Sequence, residues 1–573
     1  MEKPRIGVYV CWCGTNIAKM VDVVAVAEDI KKLPNVVMSQ NYKYMCSDPG
    51  QELIIRDIKE NRLNRIVVSA CSPRIHELTF RHSLQNAGLN PYLLVMANIR
   101  EHDAWVHTDR AEATRKALDL IAAAVNRANY NESLEERTVT INPDTLVIGG
   151  GVSGLTAALE IADAGKKVFL MESSDRLGGN VNGIDLTFPH LNSAWQMLRP
   201  LLERVERHPG IEVYRETGIR KITGYVGNFE TSFPAKNGTE TKLAFGNIII
   251  ATGLKSWDPS PVPEYAYGRL PDVVTSAEFE KMLLAGRIVK KDGTEPKHVA
   301  IIHCVGSRNR KYHEYCSRVC CMVALKYANQ IRSALPAASI YELYADIRAI
   351  GKGCEELYTA TSRKKIMFMM FDQENGLPRI RKAEAAEGCG MIIDLDEKLS
   401  GKSVEVPADL VILMTSLEAR EDVKTVAHAA GISVDSNKFF IEKHPKLDPV
   451  ATTTGGVYIV GAGSGPKDIP DSVSQARAAA ARVLRNISKG KVPVEVITAR
   501  VNPLLCCGCK MCLSCCPYTA IIFDEKKNLA EINEVLCQGC GTCVALCRPK
   551  AINQQGYTHS QMMAELVALV TNE

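Results

Sequence analysis

Eight cysteines near the end of the chain stand in two copies of one pattern. Cys506, Cys509, Cys512 and Cys516 follow CxxCxxCxxxC with Pro517 next, and Cys537, Cys540, Cys543 and Cys547 repeat it with Pro549 close behind. Soft thiolates at such spacing select iron–sulfur clusters or zinc. Three of them wrap one face of a cube, and in duplicated runs the last cysteine of each run ligates the other cluster. The expected sets are Cys506, Cys509, Cys512 with Cys547, and Cys537, Cys540, Cys543 with Cys516. Two [4Fe–4S] clusters so close form an electron wire rather than a catalytic centre. Structural zinc is the alternative.

Two further groups of thiols lie upstream. Cys304, Cys316, Cys320 and Cys321 fall within eighteen residues. Cys304 ends an expected strand (297–302), where ligands collect in open α/β sheets. A helix starting at Cys316 would put Cys316 and Cys320 on one face. A [4Fe–4S] site is expected here, with buried free cysteines, which pack as small hydrophobes, as the plain alternative. Cys11 and Cys13, Cys46 and Cys71 each follow an expected strand (5–10, 36–44 and 65–70). In a parallel sheet these strand ends share one edge, so the four thiols can converge on another [4Fe–4S] cluster. Zinc and structural cysteines are the other readings there. Cys354, Cys389, Cys507 and Cys515 remain unassigned.

A different chemistry starts at Gly149, Gly151 and Gly154, a GxGxxG turn. A strand (145–148) precedes it, a helix (155–164) comes next, and a second strand (167–171) ends in Glu172. Glycines let the backbone approach a pyrophosphate, the helix N-terminus supplies N–H groups, and the acid accepts from a ribose. Three later segments favour FAD over NAD: Arg176 and Gly179 in an RLGG turn, a strand ending in Thr252 and Gly253, and a strand ending in Gly461 and Gly463. Together these resemble the FAD-binding half of thioredoxin-reductase-like flavoproteins. That family usually carries an aspartate after the last-strand glycine; Ala462 stands here, so Asp468 or Asp471 is the expected substitute. A helix over 472–485 would turn its N-terminus to the flavin pyrimidine ring and favour the reduced anion. The turn where NAD(P)H should bind has a single glycine, reading His303–Cys304–Val305–Gly306–Ser307–Arg308. A pyrophosphate cannot approach that backbone as the motif requires.

These sites need rigid elements, and strand–helix alternation supplies them. The expected fold class is α/β. A parallel α/β cysteine domain covers 1–137. A thioredoxin-reductase-like FAD domain with two Rossmann-like segments comes after it. Its FAD-binding parts are 138–296 and 437–492, and the NAD(P)H-domain-like part with the cysteine site is 297–436. An α+β two-cluster ferredoxin domain with a tail helix (561–570) covers 493–573. The tail helix is expected to pack on the ferredoxin module. Hydrophobic residues make up 46% of the 573, and a net charge of +4 does not argue for nucleic acid. No run reaches the ~18–20 apolar residues of a membrane span, and the N-terminus has no signal-peptide pattern. Twenty cysteines, mostly in tight groups, read as metal ligands in a reducing, cytoplasmic setting.

The segments VCWCG, CSPRIHE, GGGVSGLTAALEIA, YCSRVCCMVALKYA and GSGPKDIPDSVSQA, with the terminal cysteine runs, resemble the A subunit of heterodisulfide reductase and its homologues in the same order. The resemblance implies an FAD and iron–sulfur subunit of a large soluble complex, a homodimer within it. Its partners would be other redox subunits (HdrB/HdrC-like, MvhD-like or analogous) and ferredoxin. Several members perform flavin-based electron bifurcation: a two-electron donor reduces the flavin, one electron goes to a low-potential acceptor and the other to a higher-potential disulfide. Lys326 matches the family lysine expected near flavin N5; by its residues alone it is a charge in an apolar helix, which needs a partner or a route to solvent. The longer members carry an extra ferredoxin domain after the RLGG turn, which this chain lacks. A non-bifurcating flavin relay is therefore the competing function. An NAD(P)H-dependent disulfide reductase is disfavoured by the lost glycine turn and the absence of CxxC in 297–436. A mere scaffold for partner subunits is the non-catalytic alternative.

Overall fold

The computed structural model describes residues 3–234, 240–374, 376–494, 496–518 and 520–571. The chain forms two compact units, Met1–Thr138 with Pro493–Glu573, and Val139–Val492. All twenty cysteines are free. Among the described residues no helix is long and apolar enough to cross a membrane.

The first unit opens with a parallel four-stranded sheet ordered Val36–Tyr42, Ile6–Cys11, Arg65–Ala70, Leu94–Asn98. The two central strands, IGVYVC and RIVVSA, are buried at every position, as strands covered by helices on both faces must be. Amphipathic spacing predicts one helix over 17–33, and the chain instead forms two, Thr15–Ala18 and Val23–Ile30. Asp22 separates them, its Oδ1 accepting from the Ala25 N–H at 3.1 Å as an N-cap. The same spacing predicts a helix over 104–128, and the one that forms starts at Arg110, where Asp109 accepts from the Glu112 N–H at 2.9 Å. The residues before it make one π-helical turn, Arg100–Ala104.

The same unit holds the C-terminal cysteine module. Ala499–Val501 pairs antiparallel with Ile552–Gln554, and Ile521–Asp524 with Leu529–Ile532. Two short helices, Met511–Cys515 and Thr542–Leu546, each follow a left-handed residue, Lys510 and Gly541. The tail helix His559–Thr571 does not pack on this module, contrary to the expectation from sequence. It lies along Arg110–Ala128, because its polar partners are there. Arg127 Nη1 donates to Glu565 Oε2 at 3.2 Å, and Gln561 Nε2 donates to Tyr130 O at 3.2 Å and Asn131 Oδ1 at 3.1 Å.

The second unit contains two parallel sheets. The first runs Ile211–Tyr214, Val168–Met171, Thr145–Ile148, Asn247–Ile250, Val457–Ile459. Helices Val152–Asp163 and Ile469–Lys489 pack together over one face. The antiparallel strands Ile222–Tyr225, Asn228–Pro234 and Glu240–Phe245 contribute to the core on the other. Val457–Ile459 enters this sheet from some two hundred residues downstream of its neighbour Asn247–Ile250. The second sheet runs Val273–Thr275, Leu410–Thr415, His298–Val305, Ser339–Tyr344, Ile366–Met370, with the helix Cys320–Ala334 against it. The α/β class is the one read from the sequence, but the second sheet takes its edge strand Val273–Thr275 from within 138–296, the stretch expected to bind FAD, because that strand pairs with Leu410–Thr415.

Candidate flavin and thiol sites

The glycine turn is shaped by two different constraints. Gly149 has φ +108, and a Cβ there would stand 2.4 Å from the Ala251 carbonyl oxygen. A Cβ on Gly154 would stand 1.8 Å from the Gly149 carbonyl oxygen, so this glycine lets the helix Val152–Asp163 sit down on the strand end. Gly151 is different: its Cβ position meets nothing nearer than the Gly179 Cα at 4.0 Å. That opening, at a helix N-terminus and between two glycine turns, is where a pyrophosphate fits. Glu172 lies at its side with both oxygens anchored. Oε2 accepts from the Gly150 N–H at 2.7 Å and Oε1 from the Ser174 N–H at 2.8 Å, which fixes the carboxylate beside the turn. Thr252 Oγ1 is buried without a partner, 3.7 Å from the Cβ position of Gly463, and Gly253 has φ +74 with open space before it. An orphaned hydroxyl beside the open turn at Gly253 fits a polar ligand such as FAD. Gly461 has φ +66 and donates its N–H to Gln475 Oε1 at 3.0 Å. Arg176 points to solvent beside Asp175 and is not drawn into the turn.

Neither substitute aspartate is free. Asp468 caps the helix Ile469–Lys489 by accepting from the Asp471 N–H at 2.8 Å, and Asp471 pairs with Arg318. Reaching a ribityl chain would cost either one its present partner.

Arg318 belongs to the second cysteine site. Cys304, next to last in the strand His298–Val305, is left-handed (φ +56), and Arg318 is left-handed too (φ +63). The helix starts at Cys320, not Cys316. The left-handed Arg318 breaks any helical path between them, so the expected shared face of Cys316 and Cys320 does not form. The loop nevertheless brings Cys304, Cys316, Cys320 and Cys321 into one neighbourhood, where charge on Cys316 or Cys321 would raise both Cys304 and Cys320. Burial pushes the Cys304 thiol up to about 12. Cys320 is raised by its hydrogen bond with Cys321 and by burial; Cys321 is lowered by Cys320 and then by His303. His303 and Glu342, wholly buried on adjacent strands, pair with one another. His303 Nδ1 has no oxygen or nitrogen partner, and its ring lies against Cys321.

The NAD(P)H-like turn is filled by protein. A Cβ on Gly306 would stand 2.2 Å from the Trp257 ring, which also packs against Tyr312 and His313. Lys326 is buried, 1% exposed, and does not reach solvent. Its Nζ donates to Leu186 O at 3.0 Å and pairs with Glu280. Burial lowers its pKa while Glu280 opposes the shift.

In the first unit, Cys11, Cys13, Cys46 and Cys71 meet at the C-terminal edge of the parallel sheet. Cys13 is left-handed (φ +49) and its N–H donates to Cys11 Sγ at 3.3 Å. Burial raises Cys11, Cys46 and Cys71, the last to about 11, and a charge on Cys13 would raise all three further. In the C-terminal module a cavity of about 340 Å³, including its open mouth, is lined by five cysteines, Cys515, Cys516, Cys537, Cys540 and Cys543. Backbone N–H groups point at two of these sulfurs: Ala499 to Cys537 at 3.4 Å and Ala520 to Cys516 at 3.3 Å. Such N–H···S bonds favour thiolates. Cys506, Cys509 and Cys512 lie together beyond it, near enough for the first two to raise the third. Among the described residues no three His, Cys, Asp or Glu side chains close in tightly enough for a single ion.

Sequence reasoning did not single out Glu280, Trp257, Arg100 or the His303–Glu342 pair. A histidine and a glutamate inside the apolar strands VAIIHCV and SIYELY were a legible signal. The partners of Lys326 and Gly306 come from distant segments and left no local mark.

A family described as pyridine nucleotide-disulphide oxidoreductase matches residues 143–302. The A subunit of the H(2):CoB-CoM heterodisulfide,ferredoxin reductase of Methanothermobacter thermautotrophicus is 38% identical, covering 100% of this chain and 98% of its own. That alignment runs over 659 positions, so the relative carries residues with no counterpart in these 573. The second iron-sulfur A subunit of the CoB--CoM heterodisulfide reductase of Methanopyrus kandleri is 40% identical, covering 92% of each chain. Among solved structures, thioredoxin reductase of T. acidophilum matches with a TM-score of 0.42 at 14% identity, covering 60% of this chain and 99% of that one.

Proposed function

This chain belongs to the family of heterodisulfide reductase A subunits, which are flavin-dependent oxidoreductase components, and we propose that it passes electrons between one FAD and four [4Fe–4S] clusters as a bifurcating or confurcating subunit. FAD, when bound, supplies the exchange between two-electron and one-electron chemistry, and the clusters carry single electrons. Gly149, Gly151, Gly154, Gly179 and Glu172 hold the pyrophosphate and ribose end; Thr252, Gly253, Gly461 and Gly463 line the other. Lys326, kept charged or neutral by its balance with Glu280, is the residue for the flavin's N5 side. The cluster ligands are the sixteen cysteines of the four thiol groups. Partners are other redox subunits, a second copy of this chain and ferredoxin, with a heterodisulfide as the acceptor class named by the relatives.

The cavity that gathers Cys516, with its neighbour Cys515, beside Cys537, Cys540 and Cys543 carries this reading. Of the two thiols before Pro517, Cys516 is the one in the spaced run, and with three from the second run it makes the crossed set of a two-cluster electron wire. One observation favours a plain relay instead: the chain lacks residues that its relatives carry. The deciding experiment is an anaerobic redox titration of the purified complex, following flavin absorbance and radical EPR. Bifurcation predicts strongly crossed one-electron potentials and almost no radical at equilibrium. A large radical signal, with the potentials in the ordinary order, would sink it and leave the relay.

A further inference from the structure

Arg100 stands out among the groups around the N-terminal thiols. Its Nη1 donates to Cys13 Sγ at 3.2 Å. The guanidinium also lies within electrostatic reach of Cys46 and Cys71. The side chain is only 14% exposed, and three restraints fix it. Asn98 Oδ1 accepts the N–H groups of Arg100 at 3.3 Å and Glu101 at 3.0 Å, bending the strand end into the π-helical turn. Glu101 Oε1 accepts from Arg100 Nη2 at 2.7 Å and Nε at 3.3 Å. The ring of Trp105 lies 4.7 Å from the guanidinium carbon. The other Glu101 oxygen accepts the Ser72 N–H at 3.0 Å, next to Cys71. Only a planar fork can give two N–H groups to a carboxylate and aim a third at a sulfur, so lysine is not equivalent.

We propose that Arg100 is a positioning residue that holds Cys13 as a ligand and raises the potential of the N-terminal cluster. This rests on the reading that the four N-terminal cysteines hold a [4Fe–4S] cluster. Reduction adds one electron and no proton to a group already rich in thiolate charge. A fixed cation bonded to a ligand sulfur favours the more negative, reduced form. Arg100 itself stays charged and forms no covalent bond.

The test is an EPR-monitored anaerobic redox titration of the full-length, cluster-loaded protein, with iron analysis. The variants Cys13→Ala and Cys46→Ala identify the signal: each should shed about four irons and one EPR species. If both keep all their iron and signals, the N-terminal cluster reading is wrong and this inference falls with it. Arg100→Gln should keep its iron and show that one signal titrating lower. The reduced-to-oxidised ratio at a fixed potential should fall about tenfold, equivalent to 59 mV for one electron. Arg100→Lys should fall between, and the other signals should not move. An unchanged midpoint in Arg100→Gln overturns the proposal. If Arg100→Gln sheds the iron, Arg100→Lys decides. Retention there, at a lower midpoint, supports the proposal; loss there too would mean that the fork alone matters, and overturns the charge-setting role.

Discussion

Two alanine substitutions in the same glycine turn should fail in different ways. Gly154→Ala places a methyl 1.8 Å from the Gly149 carbonyl oxygen and 3.0 Å from its carbon. Ordinary contact needs nearly twice that separation, so the helix must retreat by on the order of 1.5 Å from a close-packed sheet. Overpacking of this kind costs about 1–3 kcal/mol. The helix N-terminus moves with it, so FAD affinity should fall ~10- to 100-fold alongside stability. Gly151→Ala places its methyl in open space, 4.0 Å from the Gly179 Cα, and its φ of −76 suits any L-residue. Stability of the flavin-free protein should change by less than ~0.5 kcal/mol. Yet the methyl fills the opening assigned to the pyrophosphate, and FAD affinity should drop at least ~10-fold. Fluorescence titration of the flavin-free proteins gives the affinities, and denaturant unfolding gives the stabilities. If Gly151→Ala binds FAD as the parent does, the pyrophosphate does not lie there and the assignment of this cradle is wrong.

Lys326→Met should strip the partner from a buried Glu280 carboxylate and cost ~3–5 kcal/mol. Lys326→Met with Glu280→Gln should recover much of that in urea unfolding, without restoring the parent flavin potential if Lys326 acts on the flavin. A cost below ~1 kcal/mol for the single variant would contradict the pairing. Asp103, wholly buried, has its carboxyl raised from 3.8 to about 6 by burial, opposed by His107. The folded state therefore holds the proton more tightly than the unfolded chain, and its stability declines as pH rises from about 4 through about 6. Asp103→Asn removes that loss, so the variant should gain ~2–3 kcal/mol over the parent between pH 4 and pH 7. A stability difference that is flat with pH would refute this.

Local chemistry wrote much of the plan into the sequence. The strand Arg65–Ala70 and the strand Thr145–Ile148 lie at their expected residues, because continuous β-branched runs bounded by turns have one good use. GxGxxG between strand and helix marked the turn, since only glycine tolerates a φ of +108 at Gly149 or a 1.8 Å approach at Gly154. Cysteine spacing likewise marked the terminal runs, whose thiols the fold brings together from both copies of the pattern. Cap residues were readable but underweighted: Asp22 split one helix and Asp109 delayed another. What the sequence left open depends on neighbours far along the chain. Cys316 stays outside the helix because of one left-handed residue, Arg318, whose partner Asp471 lies 153 positions on. Lys326 is held by Glu280 rather than solvent, Gly306 is covered by Trp257, and the tail helix chooses Arg110–Ala128 over its own module. A side chain's partner is set by where the chain returns, and burial, which decides whether a charge must be paired, exists only once the sheets have stacked.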